Sequence, residues 1–174
     1  MDKAIEILVE EHKNILKVVD ALEKECNEIK SDGKIDEDFL RKVIDFIRNY
    51  ADKFHHAKEE EILFKEFCKT AKKGCLHCNP VEQMLYEHDI GRNFVKGIEE
   101  GIKEKNKRKI VESSFGYVNL IREHIFKEDN ILYPMSESAF DKRTKEEMLR
   151  KFNKIGKNKK VEENKYSLFV KSLK

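Results

Sequence analysis

The stretch His55-His56-Ala57-Lys58-Glu59-Glu60-Glu61-Ile62-Leu63-Phe64 is echoed later in the chain by His124-Ile125-Phe126-Lys127-Glu128-Asp129-Asn130-Ile131-Leu132-Tyr133. Both copies contain a histidine, a glutamate four residues later, and then Ile-Leu-aromatic. Residues four apart lie on one face of a helix, so each copy places an imidazole beside a carboxylate. The repeated pair predicts two halves of one metal site, contributed by two different helices.

The composition favours one helical domain. The 174 residues include only 7 Gly and 2 Pro, so few positions interrupt long helices. The 36 Lys and Arg nearly balance the 34 Asp and Glu, which gives no general attraction for nucleic acid. There is neither a signal peptide nor a run of about 20 apolar residues that could span a membrane. We therefore expect a soluble, cytoplasmic protein without nucleic-acid or membrane partners.

Apolar residues recur at steps of three or four along most of the chain. This periodicity predicts helices over about residues 3–30, 36–70, 81–103 and 109–132. Because the connections between them are short, neighbouring helices should run antiparallel. The expected fold class is an all-α, up-down-up-down four-helix bundle.

The C-terminal part should add one short helix and a tail. Pro134 is expected to close the fourth helix, and Thr144 to begin a fifth over residues 144–156 with a capping box. Residues 1–156 would then form one domain. The Lys-rich tail over 157–174 should start poorly ordered, and its spaced apolar residues would dock on the bundle or on a second chain. A homodimer is therefore one expectation.

Six polar residues fall on the apolar faces of these helices, namely His12, His55, Glu59, His88, His124 and Glu128. In an antiparallel bundle they reach the same level. Buried charged carboxylates without partners cost several kcal/mol, and bound metal ions remove that cost. Imidazole and carboxylate ligands suit iron, zinc or manganese, and six ligands exceed the needs of one tetrahedral zinc. We predict two metals, each with two histidines and both bridged by the glutamates, with one open position each.

One assignment has an alternative. His55 follows Ala51 along the apolar row, whereas His56 shares its row with polar residues and is expected to face outward. The alternative pair is His56 with Glu60.

Four further residues, Cys68, Cys75, His77 and Cys78, lie in or near the second connection. A CxxC motif is half of a typical zinc site, and it is also typical of a redox-active thiol pair. Free thiols in a loop are the third interpretation, and the sequence does not separate the three.

The pattern resembles the haemerythrin family, specifically its HHE cation-binding domains. The resemblance extends over residues 5–134, and its most specific pieces are the two repeats and the single-histidine segments around His12 and His88. It implies a non-haem di-iron centre, oxo- or hydroxo-bridged, in a four-helix bundle. Relatives bind O2, sense O2 or redox state, or respond to nitric oxide and help repair damaged iron centres.

One departure bears on the choice within this family. Oxygen-carrying haemerythrins use five histidines, with His-xxx-His on the third helix, but the position four residues after His88 is Arg92. Their last ligand pair is His-xxxx-Asp, and Asp129 has that spacing from His124, so the resemblance makes Asp129 an alternative to Glu128. A set of four histidines and two glutamates resembles the nitric-oxide-response and iron-repair branch more closely.

We therefore expect a di-iron protein that binds or reacts with O2, NO or peroxide. Reduction of such a molecule would require an electron donor that the sequence does not name. The alternatives are an iron donor or repair protein, a sensing module without catalysis, and a structural metal site.

Overall fold

The computed structural model describes residues 2–74, 79–158 and 160–173, which are helical almost throughout and include no strand. In chain order the helices are α1 (Lys3–Asp32), α2 (Glu37–Phe46), α3 (Phe64–Gly74), α4 (Asn79–Lys103), α5 (Lys107–Lys127), α6 (Tyr133–Ala139), α7 (Lys142–Asn158) and α8 (Lys160–Ser172). Three π-helical segments lie between them. The first (Ile47–His56) and second (Glu59–Leu63) lie between α2 and α3, and the third (Glu128–Leu132) joins α5 to α6. The all-α prediction is confirmed.

The first two helices begin and end on the expected signals. An oxygen of Asp2 accepts a hydrogen bond from the Ala4 amide, and Gly33 ends α1 in the left-handed conformation at φ 72°. Asp36 caps α2 by accepting from the Phe39 amide at 2.9 Å. The chain then stays helical to Gly74, a few residues beyond the predicted end.

The prediction that Pro134 closes the fourth helix is wrong. Pro134 lies in the first turn of α6, immediately after the third π segment. The helix is wider directly before the proline, because the amide of Tyr133 bonds to the carbonyl of Glu128, five residues earlier. The chain therefore stays helical through residue 139.

The C-terminal expectations need two corrections. Asp141 rather than Thr144 caps α7, since its carboxylate accepts from the Thr144 amide at 2.8 Å. The described part of the tail is helical from Lys160. Tyr166 and Val170 are buried in the core of this same chain, so α8 docks on its own bundle. Cys75, His77 and Cys78 lie outside the described residues, and Cys68 lies partly buried on α3.

The apolar core forms two clusters along the length of the long helices. The larger includes Ile15 of α1, Val95 of α4 and the buried face of the first π segment. The smaller includes Leu8 of α1 and Met84 of α4. His12 and His88 lie between the clusters on their helices, so the predicted ligands occupy a polar layer between two apolar ones.

Candidate metal centre

Buried ligand atoms gather into two adjacent groups. The three-histidine group consists of His56, His88 and His124. The two-histidine group consists of His12, His55, Glu59 and Glu128. Within each group, one potential ligand atom per residue lies within 4.8 Å of all the others. The structure thus brings together all six predicted residues and adds His56.

The two glutamates lie between the groups and reach both. Glu128 has Oε2 at 3.3 Å from Nε2 of His12 and Oε1 at 3.3 Å from Nε2 of His124. Glu59 approaches both groups with the same oxygen. Its Oε2 lies 3.6 Å from Nε2 of His55 and 3.7 Å from Nε2 of His88. Both carboxylates are fully buried, and each lies close to histidines of both groups.

The prediction that His56 faces outward is wrong. Its side chain is buried, and its ring stacks on that of His88 at a centroid distance of 3.7 Å and an interplanar angle of 11°. His56 ends the first π segment, where the amide of Ala57 bonds to the carbonyl of Asp52, five residues earlier. Such a wide turn rotates less per residue than an α-helix, so two adjacent histidines can both point inward.

The two residues of the alternative pair, His56 and Glu60, have different roles. His56 enters the three-histidine group, whereas Glu60 accepts a hydrogen bond from Nδ1 of His88 at 2.7 Å. Asp129 similarly contacts Nδ1 of His12 at 2.8 Å and lies outside the group that contains Glu128.

Every histidine of the two groups has a carboxylate at its outer nitrogen. The Nδ1–oxygen distances are 2.8 Å for His12 and Asp129, 2.9 Å for His55 and Glu11, 2.7 Å for His88 and Glu60, 2.8 Å for His124 and Glu87, and 3.5 Å for His56 and Asp52. In the four close pairs an Nδ1–H donated to a carboxylate leaves the Nε2 lone pair facing the centre. This arrangement orients and strengthens metal-binding histidines.

Two lysines complete this outer layer. Lys58 donates to Glu11, and Lys127 donates to Glu87. Each lysine directly precedes a bridging glutamate in sequence, so the repeated pattern extends to Lys-Glu-acidic in both copies. The outer carboxylates were missed by sequence reasoning, although Glu11 and Glu87 directly precede ligand histidines and this adjacency was the available signal.

The donor set fits metal ions. Among the described residues, Oε2 of Glu59 and both carboxylate oxygens of Glu128 are buried without a hydrogen-bond partner. Nε2 of His88 lies only 3.1 Å from Nε2 of His124, although lone pairs repel each other unless a cation or proton lies between them. Two ligand atoms bonded to one metal at about 2.1 Å would lie about 3.0–3.4 Å apart. The distance of 3.1 Å between the Nε2 atoms of His88 and His124 falls in this range.

In the metal-free protein, bound protons offset part of the negative charge of the buried carboxylates. Burial lowers the pKa of His12, but hydrogen bonds to Asp129 and Glu128 outweigh this effect and raise it to about 9. Burial likewise lowers the pKa of His124, yet Glu128 and Glu87 raise it to about 10. Burial and the neighbouring Glu128 raise the pKa of Glu59 well above its ordinary value.

Other pKa shifts keep the outer layer charged and the added histidine neutral. Burial and the nearby His88 lower the pKa of His56 to about 3. The hydrogen bond from His88 outweighs burial and lowers the pKa of Glu60 to about 2, with a further contribution from Arg92. Burial raises the pKa of Tyr133, and nearby carboxylates raise it further, so its hydroxyl keeps its proton.

Arg92 has a structural role where an oxygen carrier would have its fifth histidine. Its guanidinium donates to Asp52 at 2.7 Å and to Glu60 at 2.8 Å. These carboxylates are the outer partners of His56 and His88. Arg92 therefore supports the three-histidine group from outside.

A small cavity of about 220 Å³ lies beside the three-histidine group. Its lining includes both imidazole and apolar side chains, among them His56, His88, Gly91, Val95, Tyr117 and Ile121. The cavity leaves space next to the centre inside an otherwise packed bundle.

Comparison with known proteins gives one match. The model of a family described as hemerythrin HHE cation binding domain matches residues 3–136. Neither the curated proteins nor the solved structures include a match to this chain. In the described part of the chain, each helix is too short or too polar to cross a membrane.

Proposed function

This chain belongs to the haemerythrin family of HHE cation-binding domains, and we propose that it is a non-haem di-iron protein that binds or reacts with a small molecule such as O2, NO or peroxide. The observation that carries the proposal is the pair of buried carboxylates, Glu59 and Glu128, which face five imidazoles. Three of their four oxygens lack a hydrogen-bond partner among the described residues. When bound, two iron ions would supply redox and Lewis-acid chemistry. The protein residues hold the ions, orient their ligands and exclude water.

We infer that the long helical stretches form an up-down-up-down bundle. In two pairs of packed stretches, the contacts advance along one chain segment while they go back along the other, as antiparallel packing requires. Between α4 and α5, Gly101 lies against Ile110 at one end, while Lys127 contacts Glu87 at the other. Between α1 and α5, the pair His12–Glu128 is followed by contacts of Arg122 with residues 20 and 23 of α1.

The ligand count distinguishes the two metal positions. The three-histidine group supplies one imidazole more than the two-histidine group, and both groups share the bridging glutamates. The metal in the two-histidine group would therefore keep more open coordination. We propose that the small molecule binds at this coordination position and not in the cavity beside the three-histidine group, whose lining includes neither His12 nor His55.

The preference for the nitric-oxide-response and iron-repair branch depended on a count of four histidines. His56 raises that count to five, so this reason no longer holds. The proposal therefore keeps the di-iron centre and the small-molecule ligand, and leaves the choice of ligand to experiment.

The first test is metal content. We expect about two irons per chain in the wild-type protein, from the ligand count. His56→Ala removes one imidazole from the three-histidine group, so iron content should fall toward about one per chain. Glu112→Ala is the control, because Glu112 is an exposed carboxylate of α5 that belongs to neither group, and it should leave iron content unchanged. One zinc and no iron in the wild type would contradict the di-iron proposal.

The second test separates the remaining functions. The iron-loaded protein is reduced without oxygen, and O2 or NO is then added while visible absorption is followed. A stable, reversible adduct indicates carriage or sensing, and rapid oxidation without an adduct indicates reactive or repair chemistry. A metal that stays unreactive would favour a structural site and contradict the proposal.

A further inference from the structure

The two repeats correspond in their contacts as well as in their sequences. In the first half, Glu11 bonds to Nδ1 of His55; in the second half, Glu87 bonds to Nδ1 of His124. The acidic residues that follow the bridging glutamates also correspond, because Glu60 bonds to His88 and Asp129 bonds to His12. The centre is thus built from two nearly equivalent halves.

This internal symmetry is broken at two places that touch the centre. His56 of the first repeat corresponds to Ile125 of the second, and Phe64 corresponds to Tyr133. His56 joins the three-histidine group, whereas the ring of Tyr133 stacks on His12 of the two-histidine group at 5.6 Å and 7°. The ring of Phe64 has the corresponding place against His88, at 6.0 Å and 22°. The two-histidine group, which lacks the extra imidazole of His56, is therefore the group that has the phenol of Tyr133.

The Tyr133 hydroxyl contacts two ligands of the two-histidine group. It donates a hydrogen bond to Oε1 of Glu59 at 2.5 Å and lies 3.3 Å from Nε2 of His12. The side chain is almost completely buried, so water does not compete for this bond. Oε2 of Glu59, by contrast, is among the buried oxygens without a hydrogen-bond partner in the described structure, and it faces both groups.

We propose that Tyr133 is a positioning residue that restricts Glu59 to one-oxygen coordination and thereby keeps a coordination position open at the two-histidine group. A carboxylate can bind a metal through one oxygen or through both. The hydrogen bond from Tyr133 engages Oε1, so Oε2 alone is left for the metals. At the three-histidine group, Phe64 has no hydroxyl, and His56 supplies one additional imidazole. The inference rests on the proposed function, because the open position has a use only if a small molecule binds there.

The test compares Tyr133→Phe with Phe64→Tyr, the substitution that adds a second hydroxyl at the corresponding place in the other half. The probe is azide, titrated into the iron-loaded protein and followed by visible absorption. With the hydroxyl removed, Oε1 of Glu59 is free to take the open position, so we expect azide to bind about tenfold more weakly. Phe64→Tyr keeps the hydrogen bond from Tyr133 to Glu59, so the open position at the two-histidine group should remain and azide should bind as in the wild type. Tyr50→Phe is a second control, because its hydroxyl bonds to Asn14, which belongs to neither group.

Infrared spectroscopy gives a measurement that does not depend on azide or iron. The separation of the two carboxylate stretching bands differs between one-oxygen and two-oxygen coordination. In protein labelled with ¹³C-glutamate, Tyr133→Phe should shift these bands, whereas Tyr50→Phe should not. A zinc-loaded sample reports the same change if the protein takes zinc in place of iron.

Metal content and thermal unfolding are measured on the same samples, and this separates the possible failures. Wild-type protein without iron would contradict the proposed function but leave the infrared test of Glu59 intact. If Tyr133→Phe is folded and fully loaded yet has unchanged azide affinity and carboxylate bands, the role of Tyr133 is overturned. Equal effects of Tyr133→Phe and Tyr50→Phe would also overturn it.

Discussion

At the scale of single residues, the centre depends on which nitrogen of each histidine faces inward. Outer carboxylates hold the Nδ1–H groups of four histidines in the close pairs described above, and this leaves their Nε2 atoms for a metal or a proton. His12 and His124 have raised pKa values of about 9 and 10, so near neutral pH they bind protons until metal replaces them. Protons and metal ions therefore compete for the same nitrogens.

This competition predicts that a rise in pH lowers the stability of the metal-free protein and increases its affinity for metal. A raised folded-state pKa stabilises the protein below the unfolded value of 6.5, and the stabilisation is lost as pH rises through about 9 to 10. Thermal unfolding of the metal-free protein should therefore occur at lower temperatures as pH increases from 6.5 to 10. Metal affinity should increase over the same range, because ligands must lose their protons.

The measurement is the difference in unfolding temperature between the two forms at each pH. We expect this difference to increase from pH 6.5 to pH 10. Parallel curves for the metal-free and metal-loaded protein would show that protons and metal do not compete at these histidines.

At the scale of elements, the helices combine π segments and close glycine contacts. A Cβ added at Gly91 of α4 would meet Leu120 and Tyr117 at 3.7 Å, an ordinary contact distance. A Cβ at Gly101 would instead lie 2.9 Å from the backbone nitrogen of Ile110. Gly101 is therefore required for close packing of α4 on α5, whereas Gly91 leaves space beside the cavity.

Gly91→Ala should stabilise the protein, because alanine is favoured over glycine inside a helix by about 1 kcal/mol. Gly101→Ala is the matched variant at which the same gain is opposed by a clash, and it should destabilise. The measurement is the free energy of unfolding in denaturant, with metal removed. A loss of stability in Gly91→Ala would show that this position also has no room for a methyl group.

At the scale of the whole molecule, two apolar clusters enclose one polar layer. The C-terminal helix α8 completes the larger cluster, where the Tyr166 ring packs edge-on against Phe46 at 5.8 Å. Its hydroxyl also bonds to Asp45 at 3.3 Å. The segment expected as a tail is thus part of the core.

Tyr166→Ala should destabilise the protein by about 3–5 kcal/mol, the usual cost of deleting a large buried aromatic ring. Leu168→Ala on the same helix is the control, because that side chain is 68% exposed and its loss should cost less than about 0.5 kcal/mol. Metal content per folded chain should be unchanged in both variants, since neither residue is in the two ligand groups. Equal stability of the two variants would contradict the docking of α8.

Much of this protein was predictable because local signals agreed. Regular apolar spacing indicated the long helices, and the capping residues Asp2 and Asp36 are short-range features of the chain. The six predicted ligands lie together because histidine and glutamate four residues apart share a face in both repeats. These are consequences of helical geometry, which sequence alone specifies.

The sequence by itself thus determined the helices, the pairing of each histidine with its glutamate, and the family. Tertiary structure decided the inward position of His56, the role of Tyr133 and the outer partners of the histidines. Each of these depends on a π turn or on contacts between helices. The prediction for His56 assumed the α-helical rotation of about 100° per residue. Sequence spacing does not show where an amide will bond to the carbonyl five residues earlier instead of four, so the π turn could not be predicted. Nor can one helix reveal which carboxylate of another helix will reach its histidine.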